Sequence, residues 1–257
     1  MTKNAAGLAV AAAAVLAAVA AMCCAERPLL LLLQLLQPLQ TRAIEAITAE
    51  GYTVVRTPGR LQDALSSFVR EEGAVQRWRR FEGSGESIED PIISGVTEVL
   101  HLPPALKQHA RAALLPLAER FCDCRLEHTA TVYGVRVYRA GARLVPHLDW
   151  PDRWVVSATL CVEVNGSARG GWPLELRSYS GGGGEVVQSA GDAVLYEGSR
   201  MLHGRPEPFD GDVYAGVFVG YTPVGYPDGA RRLSTRIAVR GVRAVKRALR
   251  LVGVRLG

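Results

Sequence analysis

Two histidines and an aspartate are the residues of this chain whose types and spacing could do chemistry. Val145-Pro-His147-Leu-Asp149-Trp150 sets an imidazole and a carboxylate two positions apart. On an extended segment, side chains at i and i+2 leave the same face, so His147 and Asp149 can converge while Leu148 points into packing. A third donor, His203, follows in Met201-Leu-His-Gly-Arg-Pro206. Two imidazoles and one carboxylate on one side of a divalent ion leave its other positions open. That donor set suits Fe(II) and O2 chemistry better than thiolates would. A His-x-Asp pair also arises by chance, so its surroundings must carry the reading. His101 precedes a Pro-Pro turn, and His109 and His128 flank helical sequence, which gives all three structural or solvated roles.

The elements around these donors change character along the chain. Ala43, Ile44 and Ile47 fit one helical face, and Leu61, Ala64, Leu65, Phe68 and Val69 another, with Tyr52–Val55 as a short strand between. Gly83–Pro91 is a polar loop. Pro103 and Pro104 open a helix from Ala105 to about Phe121, with Leu106, Ala110, Ala113, Leu114 and Leu117 at helical spacing. From Thr129 the rhythm becomes two residues. Strands are expected at 131–139, 143–149, 154–164, 172–178, 185–188, 193–196 and 213–221, separated by Gly141, Asn165-Gly166, Gly181–Gly184 and Gly191-Asp192. Many short strands with turn residues between them indicate an antiparallel sandwich or barrel. The four glycines lack the Lys-Ser/Thr of a phosphate loop and read as a hairpin tip.

With those motifs in place, the sequence resembles the prolyl 4-hydroxylase-like dioxygenases. The resemblance rests on Tyr133-Gly-Val-Arg-Val-Tyr138, Gly141, Arg143, Pro146-His-Leu-Asp149, Gly191-Asp192-Ala-Val-Leu-Tyr196, His203-Gly-Arg-Pro206, Tyr214, Phe218 and Tyr221. It runs from roughly Leu100 to Pro223, about half the chain. It implies an α+β protein with a double-stranded β-helix (jelly roll) core, carrying Fe(II) on His147, Asp149 and His203. It further implies 2-oxoglutarate as co-substrate, O2 as oxidant, L-ascorbate as reductant, and a peptide or protein substrate hydroxylated at proline. By position, Tyr138 matches the tyrosine lining the co-substrate pocket. One departure stands out. The family's Lys or Arg for the far carboxylate of 2-oxoglutarate is replaced here by Asp212, Val213 and Tyr214. Arg205 is then the candidate anchor, with Arg136 and Arg143 in reserve. A planar guanidinium can grip a carboxylate bidentately, although two positions from a ligand it could also face the substrate. Tyr214 could add a hydroxyl hydrogen bond.

Charge and the chain ends complete the organisation. The net charge is +5, but residues 231–257 hold nine Lys or Arg and no acid, leaving 21 basic against 25 acidic residues elsewhere. The body is therefore acidic, which weighs against a nucleic-acid demethylase of the same fold. A jelly-roll binding module without chemistry is the other alternative. Residues 1–40 read as a signal peptide or signal anchor with an apolar leader, because Ala5–Ala25 is uncharged and long enough to span a bilayer. That places the protein in the secretory pathway, at the endoplasmic reticulum lumen or membrane. Residues 41–128 are expected to form a helical support region, 129–223 the catalytic jelly roll, and 224–257 a basic amphipathic tail. In that tail Ala238, Val242, Val245, Leu249 and Val252 oppose Arg236, Arg240, Arg243, Arg247 and Arg250, a pattern suited either to an anionic membrane surface or to packing on the core. The five cysteines contain no CxxC, and unpaired core thiols are expected over a disulfide. Asn165-Gly-Ser167 is both a turn and a glycosylation sequon.

Overall fold

The computed structural model describes residues 37–74, 79–81, 92–178 and 181–251. The expected apolar leader up to residue 36, the whole loop at Gly83–Pro91 and the end of the tail lie outside the described residues. Residues 37–43 are helical. They are followed by β1 (Tyr52–Arg56), α1 (Gly59–Ala74), β2 (Arg79–Phe81), β3 (Ile93–Ser94), β4 (Thr97–Leu100) and α2 (Pro104–Cys122). Then come β5 (Thr131–Arg139), β6 (Arg143–His147), β7 (Val156–Asn165), β8 (Trp172–Arg177), β9 (Gly183–Gln188), β10 (Asp192–Tyr196), β11 (Leu202–Arg205), β12 (Val213–Tyr221) and α3 (Leu233–Leu251).

The strands form two antiparallel sheets, ordered β1-β10-β7-β12-β5-β4-β2 and β3-β6-β11-β8-β9. From β5 to β12 the chain crosses from one sheet to the other at every step but β8–β9, which is the winding of a jelly roll. Alternation along each strand sorts the side chains. Ala158, Leu160 and Val162 of β7, Ala193 and Leu195 of β10, and Ala215, Val217 and Val219 of β12 pack with Leu61, Leu65 and Val69 of α1 and Ala110, Leu114 and Ala118 of α2. The helices thus cover the outer face of the seven-stranded sheet. The opposite face meets the second sheet through Tyr138, Cys161, Trp172, Phe209 and Tyr214 in one cluster, and Leu174, Leu176, Val194, Tyr196 and Met201 in another. The glycine hairpin joins β8 and β9, with Gly181, Gly182 and Gly183 all at positive φ, a conformation open to glycine at little cost.

Several expectations need correction. Residues 41–128 supply β1 to β4 to the two sheets as well as helical support. β1 stands where a short strand was expected at Tyr52–Val55, whereas β2, β3 and β4, two to four residues long, are too short for a two-residue rhythm to register. The strand expected over 143–149 ends at His147. Leu202–Arg205 was not among the expected strands and is one, held between β6 and β8 although its Gly204 is disfavoured in strands. The cysteines also differ: Cys122 and Cys124 form a disulfide, with Cys161 a buried free thiol. Asp123 between the pair adopts a left-handed conformation, φ 46°, which ends α2 and turns Cys124 back toward Cys122.

The first half of α3 packs on the body. Thr235 and Val239 are fully buried. Glu45 accepts the backbone N–H groups of Arg231 and Arg232, and the hydroxyls of Ser234 and Thr235 donate to Ala43 O. The line seated on the body is thus Thr235 and Val239 with partly buried Val242, offset from the expected apolar face. Leu233 and Ile237 remain outside, each 62% exposed.

Candidate metal centre

Register brings the two histidines together. His147 ends β6 and lies opposite His203 of the neighbouring β11, so two imidazoles distant in sequence project from adjacent strands with ring centroids 4.4 Å apart. Asp149 stands two residues beyond β6, where its N–H donates to Gly198 O at 2.8 Å. Its carboxylate oxygens lie 3.8 Å from His147 Nε2 and 3.7 Å from His203 Nε2. One ligand atom from each residue falls within 4.8 Å of the others.

Each histidine is held by a backbone carbonyl at its other nitrogen. His147 Nδ1 donates to Val145 O at 2.9 Å and His203 Nδ1 to Met201 O at 2.8 Å. With the proton placed on Nδ1, the lone pair is on Nε2 and directed to the centre, as metal-ligating imidazoles require. Burial pushes His203 down to about 4, an effect opposed by its Met201 hydrogen bond and reinforced by the Arg205 charge, so it is neutral at physiological pH. Burial raises the Asp149 carboxyl, while His147 and the Ser157 hydrogen bond pull it down. Ser157 Oγ donates to Asp149 Oδ2 at 2.7 Å. A Cβ at position 198 would collide with both Ser157 Oγ and Asp149 Oδ2, so the turn before His203 needs glycine there. Neutral nitrogens and a carboxylate oxygen on one side of a common point are a donor set that fits Fe(II).

Deeper between the sheets lies a buried cation. Arg205, 2% exposed, shares the inner side of β11 with His203. Its guanidinium lies over the rings of Trp172 and Tyr214, 5.0 and 4.6 Å from their centroids. It donates to Trp172 O, to Gln188 Oε1 at 2.6 Å and to Tyr214 OH at 2.7 Å. Gln188 is fixed in turn by donating to Thr159 O at 2.7 Å. Burial keeps the Tyr214 hydroxyl protonated, and it donates to Gln188 Oε1 at 3.0 Å. Every described partner of Arg205 is a neutral acceptor or a ring; no ion pair with a carboxylate is found among the described residues. A desolvated cation in such company is a site for an anion.

Of the co-substrate candidates, Tyr138, Arg205 and Tyr214 come together, with Tyr138 edge-on to Trp172 and Tyr214 at 5.0 and 6.2 Å. The reserves lie elsewhere. Arg143 is exposed and donates to Pro206 O, and Arg136 donates to Tyr133 OH. The sequence reading missed Trp172, Gln188, Ser157 and Gly198. Ser157 could have been found as a polar residue at the start of a strand whose next residues are mostly apolar.

A brace across the ligand loops was also missed. Gln40 Nε2 donates to Asp149 O at 2.8 Å and Ser199 O at 2.9 Å. The buried Glu197 carboxylate accepts from Ile47 N, Thr48 N and Thr48 Oγ1 at 3.2, 2.8 and 2.7 Å.

The fold is shared with solved structures. A prolyl hydroxylase from Trichoplax adhaerens, in complex with a peptide fragment of the oxygen degradation domain of hypoxia inducible factor, matches at TM-score 0.51 and 11% identity. The match covers 74% of this chain and 92% of that one. A prolyl-4-hydroxylase from Pseudomonas putida matches at TM-score 0.49 and 17% identity, over 72% of this chain and 100% of that one. HygX from Streptomyces hygroscopicus, bound to nickel, 2-oxoglutarate and hygromycin B, matches at TM-score 0.46 and 14% identity, over 69% and 84% of the two chains. No protein-family model matches the sequence, and no curated protein matches it either. At these identities the likeness is one of fold, and the His147-Asp149-His203 triad fits an Fe(II)/2-oxoglutarate oxygenase.

Proposed function

We propose that the protein is an Fe(II)- and 2-oxoglutarate-dependent dioxygenase that hydroxylates a peptide or protein, with peptidyl proline as the favoured residue. One observation carries this reading: a three-ligand centre with open positions shares β11, through His203, with a buried cation that has no carboxylate partner among the described residues. His147, Asp149 and His203 hold the metal. Arg205 binds the far carboxylate of 2-oxoglutarate, with Tyr214 and Tyr138 beside it, while Gln188 and Trp172 hold the guanidinium in place. When bound, the metal supplies O2 activation coupled to decarboxylation of 2-oxoglutarate to succinate, with L-ascorbate as the reductant that keeps it ferrous. The chain's own work is to present two Nε2 lone pairs and a carboxylate, to fix their tautomers and to keep the co-substrate site desolvated.

Proline is favoured by the motif resemblance. The acidic body weighs against a nucleic-acid substrate, and the commitment of both Nδ1 atoms to carbonyls weighs against a binding module with incidental histidines. The apolar stretch at 5–25 and the Cys122–Cys124 disulfide support a secretory, endoplasmic reticulum setting. The test is succinate release with proline-containing peptides, with nucleic acid as comparison. His147→Ala, Asp149→Ala and His203→Ala should each abolish Fe(II) binding and turnover. Near wild-type turnover in any of them removes the proposal, and product formed only on nucleic acid reassigns the substrate.

A further inference from the structure

Among the described residues, the outward side of α3 touches the fold only at its edge, where Arg240 pairs with Asp228 and Arg243 donates to Tyr226 O, and it is chemically divided. At 100° per residue, Thr235, Val239 and Val242 occupy an arc of about 60° that faces the body. The next 60° or so holds Arg236, Arg240, Arg243 and Arg247, and the arc beyond it holds Leu233, Ile237 and Ala244 within about 40° of one another. Leu233 and Ile237 are each 62% exposed, and Ala244, Arg243 and Arg247 are exposed as well. The Arg240–Asp228 pair sits in water, its side chains 65% and 71% exposed, so the guanidinium can exchange partners. Single exposed apolar residues mean little. Leu233 and Ile237 beside a row of arginines, on a segment with nine basic residues and no acid, describe one surface.

We propose that this face of α3 docks on an anionic lipid bilayer, with Leu233 and Ile237 entering the interface and Arg240, Arg243 and Arg247 meeting lipid phosphates and carboxylates. Charge complementarity requires an anionic partner. The exposed apolar residues select lipid among anions, since nucleic acid is held through phosphate contacts by cations and has no use for Leu233 and Ile237. The latch formed by Glu45, Ala43 and Thr235 fixes α3 on the body, so the protein meets the bilayer as a rigid unit. Each cation at such a surface contributes on the order of fivefold in binding, weakening as salt screens it.

The full chain is to be mixed with phosphatidylcholine vesicles with or without phosphatidylserine, and hydrogen exchange read over residues 233–244. The local readout matters because the apolar stretch 5–25 is common to every variant and could itself hold the chain on any vesicle. Exchange over 233–244 should slow with phosphatidylserine only, and high salt should reverse this. Leu233→Asp with Ile237→Asp, or the milder pair of serines, should abolish the effect at an unchanged melting temperature. Arg243→Glu with Arg247→Glu should likewise abolish the phosphatidylserine-dependent slowing of exchange over 233–244. Equal exchange with both vesicle types overturns the proposal. So does a result in which only the arginine changes matter and duplex DNA protects the helix equally, because the face then binds polyanions at large.

Discussion

Arg205 carries a full charge into surroundings that are 2% exposed, satisfied only by Trp172 O, Gln188 and Tyr214. Such a charge costs several kcal/mol to desolvate, and neutral acceptors offset only part of that. A carboxylate of 2-oxoglutarate would complete it. Removing a charge-assisted bidentate contact costs about 2–3 kcal/mol. Arg205→Ala should accordingly raise the KM for 2-oxoglutarate by roughly one to two orders of magnitude. Arg205→Lys should recover part of the loss, since it keeps the charge without the planar fork. The measurement is succinate release against 2-oxoglutarate concentration, with circular dichroism confirming the fold. An unchanged KM with altered peptide preference would move Arg205 to the substrate side. The candidate metal ligands were legible at this scale because histidine and aspartate declare their chemistry by type. Trp172 and Gln188 were not, since their role is to hold Arg205 and an aromatic or amide in a strand has many possible uses.

Between single residues and the whole molecule stand the elements that hold the ligand loops. Asp149 lies outside regular structure, and its loop is tied to the turn at 197–201 by Asp149 N to Gly198 O. The segment 37–51 closes over both through Gln40 and Glu197. Each hydrogen bond contributes about 1 kcal/mol net, and positioning contacts around metal sites tune affinity by about 10–100-fold. Gln40→Ala should therefore weaken Fe(II) or Co(II) binding by about tenfold while the melting temperature of the metal-free protein moves little. Gln40→Glu is the informative control. It keeps the shape of the side chain but loses both N–H donors, so a donor role predicts the same loss and a space-filling role predicts recovery. Metal titration of both variants decides between them. This brace was invisible in the sequence, where Gln40 fell within the expected leader of residues 1–40.

At the scale of the molecule, the metal site joins the two sheets' worth of structure to one another. His147 and His203 come from β6 and β11 of the five-stranded sheet, while Ser157, which holds Asp149, comes from β7 of the other. A metal that binds only the folded state stabilises it by about 2.7 kcal/mol at a hundredfold excess over its Kd. For a chain of this size that corresponds to a rise in Tm of about 5–10 °C. Chelation should reverse the rise, and His203→Ala should show none; scanning calorimetry checks both. What the sequence determined by itself was local. The two-residue rhythm placed most strands from Thr131 to Tyr221, the i, i+4 apolar spacing placed α1 and α2, and His147, Asp149 and His203 announced a metal by their chemistry. Tertiary structure decided the rest. β11 is a strand only because β6 and β8 flank it, and Arg205 is a buried cation only because Trp172 and Tyr214 close over it. Cys122 meets Cys124 through the left-handed turn at Asp123. α3 seats on Thr235 and Val239 because Ala43 and Glu45 latch its first turn. These outcomes depend on partners distant in sequence or on a backbone turn that side-chain periodicity does not encode, and so they appear only when the chain is folded.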